Sequence, residues 1–197
     1  MKLLANVVGV QTAKATGMMI DGKRVMTAIR KTAVSGAAAV EPLGLVGDEQ
    51  ANPSVHGGLS KAVYAYPSEH YEFWRKVRLD KGLGLMAGME EDALPFGFMG
   101  ENLTLAGVLE SDVWVGDVLE FPNCTLRVTD PREPCFKFNS VMGFSMAAKA
   151  MAQSGFCGFY LAVDKQGTIA AGEAFRLIAG SRQMSIPSSF AVKMRRQ

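Results

Sequence analysis

The chain opens with a β-branched run, Leu3 to Val10, and a second, Arg24 to Val34, follows the turn residues Thr16-Gly17 and Asp21-Gly22. Apolar and polar positions alternate in both, which is the period of a half-buried strand, so the pattern predicts strand, turn, strand. Val40 to Val46 gives another short strand. The polar stretch Gly47 to Ser60 that follows carries Asp48, Glu49, Gln50, Asn52, Pro53, His56, Gly57 and Gly58 and reads as a loop. Val63 to Tyr66 is apolar without interruption, as in a strand buried on both faces. After Pro67-Ser68 the period lengthens: Tyr71, Trp74 and Arg78 share one face of a helix that stops near Gly82.

From Asp80 to Met99 the glycines at 82, 84, 88 and 97, with Pro95 and the acidic cluster Glu90-Glu91-Asp92, predict a long mobile excursion. Asn102 to Leu105, Asp117 to Phe121 and Leu126 to Thr129 are three more strands, the last stopped by Pro131 to Pro134. Ala147 to Gln153 favours a helix ending at Gly155, and Phe159 to Val163 with Ala174 to Ile178 predicts a closing hairpin around Asp164 to Gly167. From Ala179 onward the chain reads as a polar, basic tail. With no internal repeat and no second core, one domain over residues 1–180 is expected, with 181–197 forming no separate domain. The fold class is mainly β (α+β), a barrel or strongly curled sheet with two helices outside.

Composition narrows the function classes. At 48% hydrophobic and 20% charged residues the 197-residue chain is globular in character. A net charge of +2 gives no broad field for nucleic acid, so no specific nucleic-acid partner is expected. Three cysteines (Cys124, Cys135, Cys157) cannot all pair and read as reduced thiols, which points to the cytoplasm. The apolar stretch Ala150 to Val163 is interrupted and shorter than the ~20 residues of a membrane helix, so no membrane association is expected. Lys2, Leu3 to Val10 and Ala13-Lys14-Ala15 imitate a secretory signal, but Asn6 and Gly9 break its core and a first strand explains the same residues.

The chemistry concentrates in three segments. In Asp130-Pro131-Arg132-Glu133-Pro134-Cys135-Phe136-Lys137 two prolines stiffen the loop, and Arg132 and Lys137 favour the thiolate of Cys135, the form that attacks electrophiles or binds metals. The plain alternative is a buried, inert cysteine, the reading given to Cys124 and Cys157 among their apolar neighbours. In the second segment, His56-Gly57-Gly58 lets backbone N–H groups approach an anion, whereas His70, inside the helix, reads as a surface or satisfied histidine. In the third, Gly100-Glu101-Asn102 sets a carboxylate and an amide at a strand entrance.

In order along the chain, Thr27-Ala28-Ile29-Arg30-Lys31, Gly47-Asp48-Glu49-Gln50, His56-Gly57-Gly58, Ala62-Val63-Tyr64-Ala65-Tyr66, Gly100-Glu101-Asn102-Leu103-Thr104, Pro131-Arg132-Glu133-Pro134-Cys135 and Gly158-Phe159-Tyr160 resemble the MOSC domain family. The resemblance runs from about Lys23 to Ile178 and is nearest the YiiM-like branch, whose members are linked to resistance against 6-N-hydroxylaminopurine. It implies a MOSC-type β-barrel with a few peripheral helices and a molybdenum cofactor of the molybdopterin type, with pyridoxal phosphate binding as a further family-level association. By the same carry-over, Cys135 is the metal ligand or sulfur carrier. Lys31, Gly57, Gly58, Asn102, Arg132 and Lys137 are expected to bind the cofactor, and His56, Glu49 and Glu101 to supply protons. Ala33 stands where the family often has proline, and the three-helix segment of longer YiiM-like proteins is missing before Gln197. Three scattered cysteines cannot hold a four-cysteine iron–sulfur cluster, and no GxGxxG unit serves a flavin or nicotinamide. The expected activity is therefore a molybdenum-dependent reductase acting on small N-oxygenated substrates, fed by a separate electron-donor protein. A homodimer is among the assemblies the resemblance allows. A sulfur carrier with a persulfide on Cys135 and a non-catalytic pterin-binding module want the same accessible thiolate.

Overall fold

The structure, a computed structural model, describes residues 4–52, 57–84 and 93–195. In chain order come β1 (Leu4–Thr12), β2 (Thr16–Ile20), β3 (Lys23–Thr27), β4 (Thr32–Ala33), β5 (Ala38–Glu41), β6 (Gly44–Leu45), β7 (Val63–Pro67) and α1 (Tyr71–Asp80). They are followed by β8 (Leu103–Ala106), β9 (Val118–Glu120), β10 (Thr125–Pro131), α2 (Phe136–Met142), α3 (Ala147–Ser154), β11 (Phe159–Lys165), β12 (Gly167–Ile169), β13 (Ala174–Ile178) and α4 (Ile186–Met194). Seven strands form a closed barrel in the order β13-β9-β10-β11-β7-β8-β1, and β13 pairs again with β1 to close it. Closure leaves the barrel no bare edge. Among the described strands only β7 and β8 run parallel, and such a pair needs a crossover, here the segment that holds α1.

Alternation sets which side chains fill the barrel. Phe175 and Leu177 of β13, Leu119 of β9, and Leu126 and Val128 of β10 are buried, while their neighbours in the same strands are less so. All five residues of β7 are buried: Tyr71 and Trp74 of α1 pack on Tyr66, and Tyr160 and Arg132 pack on Tyr64. Trp74 of α1 donates its indole N–H to the Tyr66 hydroxyl at 2.6 Å and packs edge-on against Phe138 of α2.

Asp21-Gly22 turns between β2 and β3 with φ values of +47° and +74°, the two positive angles of a tight hairpin, whereas Thr16-Gly17 lies inside β2. The expected strand Arg24 to Val34 is broken: β3 ends at Thr27, the chain turns, and Thr32–Ala33 pairs with the end of β1. Phe159 to Val163 and Ala174 to Ile178 do not form a hairpin. β11 lies between β10 and β7, β13 lies between β9 and β1, and β12 between them in sequence pairs with β5. Among the described residues four α-helices stand where two were expected. The tail expected to be polar and basic holds α4, capped by Ser185 and anchored by Ile186 and Phe190, both buried. Part of the glycine-rich excursion, including Glu90-Glu91-Asp92, lies outside the described residues.

Candidate functional site

The loops at one end of the barrel surround an open cleft with about 100 Å³ of enclosed, water-accessible space. Its walls come from the turn after β3 (Thr27, Ile29, Lys31), the loop before β7 (Asp48, Gln50, Asn52, Lys61), Tyr64 of β7, Gly100 and Asn102 before β8, Arg132 and Cys135 after β10, Lys137 of α2 and Tyr160 of β11. Gly100 lets two of these loops meet. Its φ is +87°, and a Cβ there would come 2.8 Å from Ile29 Cγ1.

On one wall the Lys31 ammonium lies 2.5 Å from Asp48 Oδ1. Asp48 also accepts the Ala13 N–H and, through Oδ2, the Asn102 side-chain amide, each at 2.8 Å. Asn102 in turn accepts the Tyr64 N–H at 3.1 Å, so one side chain ties the loop, the barrel and the ion pair together. Burial pulls the Lys31 pKa below its usual value, with Asp48 opposing the shift.

Thr129 interrupts the β10–β11 register, and its hydroxyl donates to the Ser60 carbonyl at 2.5 Å, with the Tyr160 carbonyl 3.1 Å away. Such an irregularity re-aims the strand end, which here delivers Arg132 to the cleft. Arg132 is only 5% exposed, and its guanidinium is set 5.2 Å from the Tyr64 ring and 5.0 Å from the Phe138 ring, with Met151 Sδ at 3.3 Å. No carboxylate among the described residues pairs with it. Burial pushes the Tyr160 hydroxyl up to about 12, although Arg132 opposes that shift. Cys135 is partly exposed and is the N-cap residue of α2, and Lys137 donates to the Met26 carbonyl at 2.9 Å.

Of the residues singled out in the sequence, Lys31, Asn102, Arg132, Cys135 and Lys137 line this cleft together. Glu49 does not. It accepts the Ala15 N–H and pairs with Lys14, and the Ala15 bond holds its carboxyl below the usual range. Glu101 lies behind the wall, fully buried, accepting from the Tyr71 hydroxyl, the Gly97 N–H and the Thr104 hydroxyl through Oε1. Burial raises its pKa. The Gly58 N–H is taken by Gln50 Oε1 at 2.7 Å. Neither Gly58 nor Gly57, which is buried, lines the cleft, contrary to expectation, and His56 lies outside the described residues.

Cys124 and Cys157 are buried, as expected; burial pushes the first thiol up to about 11 and the second well above its usual range. His70 is the satisfied histidine anticipated, 2.7 Å from Glu110 and stacked on Phe156 at 3.8 Å.

Asp48, Gln50, Lys61, Tyr64 and Tyr160 also line the cleft but were not expected to act there. A signal existed for four of them, since they fall inside the quoted motifs. Among the described residues no helix is long and apolar enough to cross a membrane, and no group of three or more His, Cys, Asp or Glu side chains could hold a metal ion.

The family model described as MOSC domain matches residues 52–176. Protein YiiM of Escherichia coli is 31% identical over 166 residues, 84% of this chain and 70% of that protein. A reductase of Gibberella moniliformis is 32% identical over 158 residues, 80% of this chain but only 26% of that longer protein. The crystal structure of YiiM from Geobacillus stearothermophilus superposes with a TM-score of 0.73 at 28% identity, covering 98% of this chain and 85% of the other.

Proposed function

The chain belongs to the MOSC domain family, and from that premise we propose that its cleft holds a molybdenum-pterin cofactor through the Cys135 sulfur and reduces N-hydroxylated bases or related small N-oxygenated compounds. The observation that carries this reading is Arg132, a buried guanidinium without a carboxylate partner on the same cleft as a partly exposed thiol. Buried charges are ordinarily paired, so a permanent cation left in this state suits a ligand that brings its own negative charge, such as a pterin phosphate or dithiolate. Lys31, Lys61 and Lys137 line the same cleft, with Asp48 the one acidic residue on its walls among the described residues. A soft thiolate is a fitting transition-metal ligand, and the pterin dithiolate brings the further donors a single cysteine lacks. The residues fit the group.

When bound, the metal centre supplies the two-electron chemistry that takes oxygen from nitrogen. The chain's own side chains do the rest. Arg132 and Lys137 orient the anionic end of the ligand, and Tyr64 and Tyr160 wall it from water. Lys31, its ammonium weakened by burial and steered by Asp48, holds a proton at the cleft wall. Lys31 takes the role expected of Glu49 and Glu101, which do not line the cleft. Electrons come from a separate donor protein, and the reductase among the relatives supports a reducing role.

The test is metal analysis with pterin fluorescence on protein purified from a host that makes the cofactor. Molybdenum and pterin in comparable amounts, both lost in Cys135→Ser while the fold is retained, are the expected result. A persulfide on Cys135 with neither molybdenum nor pterin makes the protein a sulfur carrier. Pterin retained without turnover, even with a chemical reductant, makes it a binding module.

A further inference from the structure

We propose that Lys193, on α4, is a positioning residue for the cleft: it holds the carboxylates of Asp130 and Glu133 away from Arg132 and Cys135, and so keeps the cleft electropositive for an anionic ligand. The two acids flank Arg132 in sequence, and Glu133 is two residues from Cys135. Lys193 Nζ bridges them, 2.7 Å from Asp130 Oδ2 and 2.9 Å from Glu133 Oε1. All three side chains are largely shielded, at 23 to 33% exposure, where charge is screened less than on an open surface. The helix is fixed in height by Ile186 and Phe190, both buried, and by the Ser185 cap, so the ammonium arrives at one place.

Two features connect this bridge to the cleft. Among the described residues Arg132 makes no ion pair although acids flank it on both sides, and both acids are taken up by Lys193. The charge of Asp130 also reaches the cleft, since it helps to raise the Tyr160 pKa, behind burial as the main cause. Without Lys193, two negative charges remain beside the guanidinium and thiol and offset the cations lining the cleft. This inference rests on reading the cleft as an anion-binding thiol site.

The experiment needs no cofactor. Cys135 in the full chain is alkylated with iodoacetate, an anion, and with neutral iodoacetamide, and the two rates are read by mass spectrometry of the Cys135 peptide. Both reagents attack the same thiolate, so their ratio reports local potential and not the extent of ionisation. The wild-type ratio should exceed that of a neutral model thiol, N-acetylcysteinamide. Lys193→Met should lower it about two- to threefold at low ionic strength, and Lys193→Arg should keep it. Adding Asp130→Asn and Glu133→Gln to Lys193→Met should restore it, although the tether to the helix stays broken.

A ratio unchanged in Lys193→Met overturns the inference and leaves the cleft reading standing. A ratio that falls and is not restored by neutralising the two acids also overturns it, because the helix contact and not the charge is then what matters. A wild-type ratio no higher than that of the model thiol overturns the cleft reading itself.

Discussion

The ammonium of Lys31 and the carboxylate of Asp48 meet at 2.5 Å with both side chains nine-tenths or more buried. Breaking a buried pair by removing one charge costs more than the pair contributes, because the other charge is left without compensation. Asp48→Asn should therefore destabilise the protein by about 3 kcal/mol at neutral pH. The penalty should shrink as pH rises. The Lys31 pKa is already lowered in the fold, and losing Asp48 lowers it further, so the folded variant sheds its proton while the unfolded chain keeps it up to 10.5. Stability rises with pH throughout that window, which is wider for the variant. Urea unfolding of both proteins from neutral pH towards 10.5 checks this, and a gap that stays constant counts against a charged, buried Lys31.

Glu101 gives the opposite slope. Its pKa is raised by burial, so between the unfolded value of 4.5 and the raised one the folded state holds the extra proton, and stability falls as pH rises through that interval. Glu101→Gln keeps an oxygen for the Tyr71, Gly97 and Thr104 donors and removes the titration. Wild type should lose stability relative to Glu101→Gln as pH rises from 4.5 to neutrality, measured by thermal melts across that range. Parallel curves would place Glu101 in no such role.

What the sequence revealed and what it hid follow the range of the interactions. The Asp21-Gly22 turn, the Tyr71/Trp74/Arg78 face and the Gly155 stop were legible because each is decided within a few residues. The false hairpin between β11 and β13 was a question of partners, and those are chosen by barrel closure. Helix α4 was masked because its two anchors, Ile186 and Phe190, sit four apart in a stretch otherwise rich in serine and basic residues. In the site, the motifs carried Cys135, Arg132, Lys31, Asn102 and Lys137. Glu49 was preferred to Asp48 one position earlier, and at that loop one residue separates a side chain facing the cleft from one bonded to Lys14.

Cys124 and Cys157 are packing residues, with raised thiol pKa values that leave little thiolate at neutral pH. Replacing either by alanine removes one sulfur from a closed core and should cost about 1 kcal/mol, with Cys135 labelling unchanged. Denaturant melts and limiting thiol labelling test the two halves separately. Loss of Cys135 labelling in a folded Cys157→Ala protein would mean that the two cysteines act together.

Arg132 separates stability from function most sharply. A guanidinium buried without a carboxylate offsets its desolvation through Tyr64, Phe138, the Met151 sulfur and a side-chain hydrogen bond with Tyr160, and the first three contacts are partly open to an apolar side chain of similar length. Arg132→Met places a thioether against Phe138 and Met151, and the lost cation–π attraction is offset by the charge no longer buried. Stability should therefore stay within about 1 kcal/mol of wild type, in either direction. Anion binding should not survive. Inorganic pyrophosphate, titrated calorimetrically into the cofactor-free protein, should bind wild type and lose most of its affinity in the variant. Arg132→Lys should recover only part of it, because a point charge lacks the forked geometry that two phosphate oxygens need. A loss of several kcal/mol in Arg132→Met with pyrophosphate binding unchanged would make Arg132 a structural cation and move the anion site elsewhere in the cleft.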